Sequence, residues 1–267
     1  MEQHPLYRKD SWKTPISETP EINNLLGQLT RKVHVLFGRD LLSFTCYGSL
    51  IWGGCDEHLS DIDLAAVIRR EVTETDLLSL QQIHADLERD FPNWKNRIEV
   101  QYVGKNSLDA FRNGHGKMAN ISPGEPLHLI DCTVDWLVNW YFLREYGRVL
   151  YGMPRETVYP YISHQEFLSE VRRSALQWQE RLEEIRNSCS YQAYAILTLC
   201  RACYTLSSGR QVSKLQAAAW MAETYPETQS LITDALRWRQ ERDTGTDRPE
   251  ETLKRVEQFI KQVAECL

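Results

Sequence analysis

Two aspartates separated by one residue, Asp61 and Asp63, lie at the start of an apolar run in this chain. Such a run predicts a β-strand over about residues 61–68, in which alternate side chains project from the same face. The two carboxylates would then lie side by side, which is unfavourable unless a cation lies between them. Mg²⁺ binds through one or two carboxylates and completes its shell with water and substrate phosphate. The pair therefore predicts a magnesium site.

A glycine–serine pair upstream has the composition of a phosphate-binding turn. Gly48 and Ser49 follow residues 41–47, a second apolar segment typical of a strand. Glycine lets the backbone approach a ligand closely, and N–H groups with a small hydroxyl can hold phosphate oxygens. Ten residues separate Ser49 from Ser60, which precedes the aspartates. We therefore expect phosphate to bind opposite the aspartate pair.

A third carboxylate lies in a later segment with strand periodicity, residues 97–103. Its alternation places Ile98 and Val100 on one face and Glu99 and Gln101 on the other. Glutamate is uncommon in strands, and two interpretations remain open. The glutamate either lies on the solvated face of an edge strand, or it is a general base or further metal ligand facing the aspartate pair.

Composition limits the classes of function. The 267 residues, 42% hydrophobic and 25% charged, suggest two ordinary globular domains. A net charge of −6 and the absence of any Lys/Arg run longer than two argue against a nucleic-acid partner. No stretch approaches the ~20 apolar residues of a membrane helix, and the first residues lack a signal-peptide core, so we expect a cytoplasmic protein. Seven irregularly spaced cysteines do not predict a disulfide framework.

Periodicity predicts an α+β fold, with a mixed sheet and flanking helices followed by an all-α helical bundle. In the first part we expect helices over residues 21–37 and 74–90 and a long polar loop over residues 104–126. Residues 131–146 should form an aromatic-rich helix whose rings belong to the core. In the second part, capping boxes at Ser163 and Ser213 open helices. The first should reach about residue 186, and a further helix over 190–208 should stop at Gly209.

These motifs carry a resemblance to known enzymes. A Gly-Ser pair, a spacer and Asp-x-Asp on a strand resemble the signature of the DNA polymerase β-like nucleotidyltransferase superfamily. Residues 197–201, 205–209 and 212–220 are similar to the C-terminal domain of aminoglycoside adenylyltransferases that act on streptomycin and spectinomycin. Residues 145–147 and 150–152 match the junction between the domains of those enzymes. The resemblance covers most of the chain, roughly residues 22–260.

The resemblance implies a two-domain, monomeric adenylyltransferase that contributes to antibiotic resistance. Residues 1–155 would form the nucleotidyltransferase domain, and residues 156–267 the helical domain that closes on substrate and nucleotide. The reaction would be Mg²⁺-dependent transfer of AMP from ATP to a hydroxyl of a small acceptor, with two Mg²⁺ ions and an aminoglycoside-type antibiotic as the first candidate acceptor. ATP and acceptor would bind between the domains.

The resemblance also assigns roles to single residues. It makes Asp61 and Asp63 metal ligands, and it makes Glu99 the catalytic base and a further ligand. It places four residues at the triphosphate: Gly48, Ser49, Ser60 and Lys214.

One segment departs from the pattern of the drug-modifying enzymes. Those relatives tend to carry acidic residues where this chain has residues 188–192, which contain no carboxylate. Asp135 and Glu125 are then the candidate acids for the ammonium groups of an acceptor, although an exposed acid at a helix start is equally consistent with Asp135. Two other functions stay open, a protein-modifying toxin–antitoxin nucleotidyltransferase and a catalytically silent nucleotide-binding regulator.

Overall fold

The computed structural model describes residues 14–241 and 244–267. Contacts within the chain define two units, Met1–Ile162 and Ser163–Leu267. The first holds a mixed sheet with helices and the second is helical, which confirms the predicted fold class. The division falls between Ile162 and Ser163, and the domain boundary placed after residue 155 stays a prediction.

Over residues 14–162, the first unit contains a six-stranded sheet and six α-helices. The strands are β1 Leu41–Tyr47, β2 Ile62–Ile68, β3 Ile98–Gly104, β4 Gly116–Ser122, β5 Glu125–Cys132 and β6 Arg148–Gly152. The helices are α1 Pro20–Phe37, α2 Ser49–Trp52, α3 Glu74–Asp90, α4 Lys105–Asp109, α5 Leu137–Glu145 and α6 Arg155–Val158. The strand order is β5-β4-β3-β2-β1-β6, in which only β2 and β3 pair in parallel. The helix α3 makes the crossover that a parallel pair requires.

The two faces of this sheet differ in chemistry. One face packs on α1 and α3 and forms the hydrophobic core, with side chains that include Leu25, Leu29, Phe44, Leu64, Leu80 and Val100. The other face carries polar side chains at the centre of the sheet. We call five of them the polar row: Tyr47, Asp63, Glu99, Gln101 and Asn120. The strand period of two separates these polar residues from the apolar residues between them.

Two predictions about the first unit are wrong, and one further strand was missed. Residues 104–126 are not a loop, since they contain α4, β4 and the start of β5. Residues 131–146 are not one helix, since β5 runs to Cys132 and α5 begins at Leu137. The strand β6 was not predicted. The outer strands β5 and β6 lie at the two edges of the sheet, where polar residues replace the apolar alternation that marks a buried strand. The aromatic residues of α5 do belong to the core, as expected, because Trp140 is fully buried.

The second unit contains only helices among its described residues. They are α7 His164–Leu176, α8 Leu182–Ile185, α9 Cys189–Ser208, α10 Lys214–Thr224, α11 Gln229–Glu241 and α12 Pro249–Cys266. Both capping boxes form, at Ser163 and Ser213, and Gly209 ends α9 with a left-handed φ of 69°. The helix expected to reach residue 186 is instead broken after α7 by a 3₁₀ turn. Within the described part of the chain, no helix is long and apolar enough to cross a membrane.

Candidate active site

Asp63 and Glu99 are direct neighbours on adjacent strands. Asp63 of β2 pairs with Glu99 of β3 in the parallel register, and on its other side it pairs with Tyr47 of β1. Paired residues project from the same face, about 4.8 Å apart along the hydrogen-bonding direction. Both carboxylates are only partly buried. The interpretation of Glu99 as part of an edge strand is wrong, because β3 lies inside the sheet between β2 and β4.

Gly48 gives the Asp63 side chain its space. The glycine follows β1 with φ 73° and ψ −155°, a region that residues with a Cβ atom rarely adopt. A Cβ atom placed on Gly48 would lie 1.8 Å from Oδ2 of Asp63. The glycine that the sequence linked to phosphate binding is therefore required by the aspartate itself.

A tight turn delivers Asp61 to the start of β2. The hydroxyl of Ser60 accepts a hydrogen bond from the Asp56 amide at 2.9 Å, and the Ser60 amide donates to the Asp56 carbonyl at 2.7 Å. The buried Arg97 guanidinium stacks on the Trp94 ring and donates from Nε to the Ser60 carbonyl at 3.1 Å. Asp61 directly precedes β2, so the strand begins one residue later than the sequence indicated.

The two predicted triphosphate serines lie close to one thiol. Burial raises the pKa of Cys55, and hydrogen bonds with the side chains of Ser49 and Ser60 oppose that rise. Ser60 is 5% exposed, and its hydroxyl closes the turn before Asp61. Its contact with phosphate stays a prediction, as does that of Ser49.

The carboxylates fit a metal that substrate helps to bind. In residues 14–241 and 244–267, no group of three or more His, Cys, Asp or Glu side chains could hold a metal ion. Mg²⁺ does not require such a group, since it commonly binds through one or two carboxylates with water and substrate phosphates. Asp63, lying beside Glu99 and two residues after Asp61, provides such donors. The assignment of Asp61, Asp63 and Glu99 as ligands stays a prediction.

A chain of hydrogen bonds runs behind Glu99. Asn139 of α5 donates to the Tyr47 hydroxyl at 3.0 Å, and Tyr47 donates to Oε1 of Gln101 at 2.9 Å. Nε2 of Gln101 donates to Oε1 of Glu99 at 2.9 Å and to Oδ1 of Asn120 at 3.2 Å. Burial, followed by the charges of Glu99 and Asp63, raises the pKa of the Tyr47 phenol well above its usual range, so this hydroxyl remains protonated.

The strand periodicity places Gln101 on the face of Glu99 but indicates no role for it. Nothing in the sequence indicates a role for Tyr47, Asn120 or Asn139. A glutamine two residues after a glutamate, within an apolar strand pattern, is the signal that could have identified Gln101. Asn139 could not be found in this way because it comes from a helix that packs against the polar face.

The two candidate acceptor acids lie at different places in the first unit. Glu125 begins β5 and pairs with Ser122, whose hydroxyl accepts a hydrogen bond from Asn120 of the polar row. Glu125 is therefore at the same end of the sheet as Glu99, two strands away, or roughly 10 Å by strand spacing. Asp135 is exposed, and its carboxylate accepts a hydrogen bond from Thr133 within the same turn. Contact of either acid with an acceptor stays a prediction.

Lys214 lies in the second unit against a group of aromatic rings. Its Nζ is 4.5 Å from the centroid of the Tyr194 ring, which stacks on Tyr191 at 5.6 Å. Trp178 contacts both tyrosines, and Arg181 lies over the Trp178 ring at 4.5 Å. We call Trp178, Tyr191 and Tyr194, with these two cations, the aromatic cluster. The role of Lys214 at the triphosphate stays a prediction.

The segment without carboxylates has a structural role. Ser188 caps α9 by accepting a hydrogen bond from the Tyr191 amide at 3.0 Å. Gln192 is fully buried, donates to the Pro249 carbonyl at 2.9 Å and accepts a hydrogen bond from Thr252 at 2.6 Å. These polar groups are therefore engaged within the helical unit.

Comparison with known proteins finds similarity to adenylyltransferases in both sequence and fold. Residues 157–265 match the family model of the aminoglycoside adenylyltransferase C-terminal domain, which confirms the predicted resemblance. The fold is similar to that of the spectinomycin adenyltransferase AAD(9) from Enterococcus faecialis, whose crystal structure contains ATP and spectinomycin. The TM-score is 0.71 and the identity 19%, over 91% of this chain and 98% of that one. Comparison with curated proteins gives no match.

Proposed function

We propose that this chain, whose residues 157–265 match the model of the aminoglycoside adenylyltransferase C-terminal domain, transfers AMP from ATP to a hydroxyl of a small acceptor. The in-register pair of Asp63 and Glu99 carries the proposal. Adenylyl transfer needs a group that removes a proton from the attacking hydroxyl and groups that offset the phosphate charge. Neighbouring carboxylates, one against the Gly48 backbone and one hydrogen-bonded to Gln101, can take these separate roles.

Glu99 is the general base in this proposal. The acceptor oxygen forms a bond to the α-phosphorus of ATP as the bond from that phosphorus to the pyrophosphate oxygen breaks. The hydroxyl proton passes to the Glu99 carboxylate and then to solvent. Asp61 and Asp63 would hold Mg²⁺, with Glu99 as a further donor, and the metal would neutralise phosphate charge.

The ATP of the AAD(9) crystal structure supports ATP as the donor. Gly48, Ser49, Ser60 and Lys214 are the proposed contacts of the triphosphate. The spectinomycin of that structure supports an acceptor of the same type. Because residues 188–192 carry no carboxylate, ammonium groups of an acceptor would bind Glu125 or Asp135. Both acids are exposed, so we expect modest activity on streptomycin or spectinomycin that salt reduces strongly.

Pyrophosphate release tests the proposal. We expect release that depends on ATP, MgCl₂ and an added acceptor, with mass spectrometry showing AMP on the acceptor and not on the protein. A panel of spectinomycin, streptomycin and uncharged polyols, each at low and high NaCl, identifies the acceptor class. Glu99→Gln should lower turnover by roughly 10²–10⁴-fold, the usual range for loss of a general base. Asp63→Asn should abolish turnover.

Thermal unfolding controls for loss of the fold. Glu99→Gln and Asp63→Asn should both unfold at the wild-type temperature or above, because each removes one charge from a pair of like charges. Unchanged turnover in Glu99→Gln would assign Glu99 a structural role. Release that needs no acceptor, or AMP attached to a protein, would contradict a small-molecule acceptor.

A further inference from the structure

Gln101 occupies a position in the sheet where an apolar residue would be expected. Its side chain is 0% exposed, and its register partner on β2 is Ala65. Burying an amide is costly unless its polar atoms find partners. Both polar atoms of this amide have them, since Oε1 accepts from Tyr47 and Nε2 donates to Glu99 and Asn120. The amide is therefore satisfied, and one of its partners is the proposed base.

The surrounding groups allow only one orientation of this amide. If it were reversed, its oxygen would face the Glu99 carboxylate and Oδ1 of Asn120, and three acceptors would meet without a proton. The Tyr47 hydroxyl opposes reversal as well, because it accepts from Asn139 and uses its own proton on Oε1 of Gln101. The N–H of Gln101 is thus held toward Glu99 by groups on three strands and a helix.

We propose that Gln101 is a positioning residue for the reaction, and that it holds the Glu99 carboxylate where it can accept the proton of the acceptor hydroxyl. The inference rests on the proposed role of Glu99. A glutamate side chain has three rotatable bonds, and a donor fixed on Oε1 restricts them. Misplacement of a reacting group by 1 Å can cost about 10²-fold in rate. Tyr47 and Asn139 extend this support to α5.

A double-mutant cycle tests the proposal. Gln101→Leu keeps the approximate volume and removes the donor. In the wild-type background we expect kcat to fall by about 10- to 100-fold, within the cost of a misplaced group. The KM for ATP should stay within about twofold, since the loss falls on proton transfer. In the Glu99→Gln background, Gln101→Leu should cause little further loss, because there is no base left to position.

The outcomes separate three cases. Losses that multiply in full would show that Gln101 acts independently of Glu99 and would overturn the inference. A rise of about 10- to 100-fold in the KM for ATP, with no change in kcat, would also overturn the inference. If Glu99→Gln itself turns over at the wild-type rate, the proposed function of Glu99 fails, whatever Gln101 does.

Two further variants guard against loss of the fold. Tyr47→Phe keeps the ring in β1 and removes only the hydroxyl, so it should lower kcat by a few-fold with the same dependence on Glu99. Gln192→Leu removes an equally buried amide from the helical unit. Its effect should be the same factor in both backgrounds, because its hydrogen-bond partners Pro249 and Thr252 belong to the helical unit. If Gln192→Leu were coupled to Glu99→Gln as strongly as Gln101→Leu is, the Gln101 result would reflect loss of stability. That outcome would contradict the proposal.

Discussion

The polar row of the sheet and the aromatic cluster of the helical unit place their functional groups by opposite means. In the row, Gln101 is 0% exposed and Tyr47 is 4% exposed, and strand register fixes which groups are neighbours. In the cluster, Tyr194 is 45% exposed, and Lys214 is held over its ring by a cation–π contact. Such contacts at exposed sites are worth about 0.5–1 kcal/mol. The row suits chemistry that needs fixed distances, and the cluster suits binding that tolerates movement.

This contrast predicts unequal responses to substitution. A change in the row displaces groups that cannot relax, because close packing surrounds them. A change in the cluster lets water and neighbouring side chains fill the space. Substitutions at Gly48 and Lys214, each with a matched control, test that difference.

The largest effect should come from Gly48, whose absent side chain leaves room for the Asp63 carboxylate. Gly48→Ala would place a Cβ atom 1.8 Å from Oδ2 of Asp63. The aspartate or the turn must move, and we expect turnover to fall by about 10²-fold or more, as for a misplaced catalytic group. Steady-state pyrophosphate release and thermal unfolding, measured on the same preparation, give the result.

Gly53, at the other end of α2, provides the matched control. Its φ is 77°, close to the 73° of Gly48, but a Cβ atom added to Gly53 would meet no other atom within 4 Å. Gly53→Ala should therefore carry a similar backbone cost of about 1–2 kcal/mol with little loss of activity. Equal losses of activity in the two variants would mean that backbone strain, and not the contact with Asp63, explains the glycine.

The strands that carry Asp63 and Glu99 were predicted well because their pattern is local. Asp63 and Glu99 each stand at alternate positions in apolar runs, and this periodicity holds for buried strands. It did not show that the two residues pair directly, since register depends on how α3 returns the chain. The edge strands β5 and β6 were missed because they carry polar residues such as His128 and Arg148. The interior strand β4 was missed because Gly116, Lys117 and Asn120 interrupt its apolar pattern.

The functional partners were harder to predict than the carboxylates. Asn139 lies far along the chain from Tyr47, and nothing local in either segment indicates the contact. The capping boxes at Ser163 and Ser213, by contrast, were predicted correctly because each lies within four consecutive residues.

The buried pair of His84 and Tyr102 makes the stability of the first unit sensitive to acid. Nε2 of His84 lies 2.9 Å from the Tyr102 hydroxyl, and burial lowers the pKa of His84 to about 4. The unfolded chain takes up a proton near pH 6.5, well above the pKa in the folded state. Stability is therefore complete above about pH 6.5 and is lost as the pH falls toward 4, by about 2 kcal/mol between pH 7 and 5.

Urea unfolding of His84→Gln at the two pH values measures this contribution. The glutamine keeps a hydrogen-bonding group for Tyr102 but does not titrate, so the loss of stability between pH 7 and 5 should shrink by about 2 kcal/mol. His128→Gln, at an exposed histidine, should leave that loss as it is in the wild type. A wild-type pH dependence in His84→Gln would mean that His84 takes up its proton at the same pH in the folded and unfolded states, and would contradict the lowered pKa.

The smallest effect should come from Lys214, where the aromatic cluster is tested directly. Its position in the first turn of α10 opposes the helix dipole, so its charge gains little from the helix. Lys214→Met should change the free energy of unfolding by less than about 1 kcal/mol, the value of an exposed cation–π contact.

If Lys214 leaves the Tyr194 ring to meet the triphosphate, this variant should raise the KM for ATP about fivefold, or about 1 kcal/mol, with kcat nearly unchanged. Tyr194→Leu removes the ring but keeps the cation, and should leave that KM near the wild-type value. A large fall in kcat in Lys214→Met would contradict the contrast, because it would show that a cation over the exposed Tyr194 ring sets the chemistry as strictly as the buried row does.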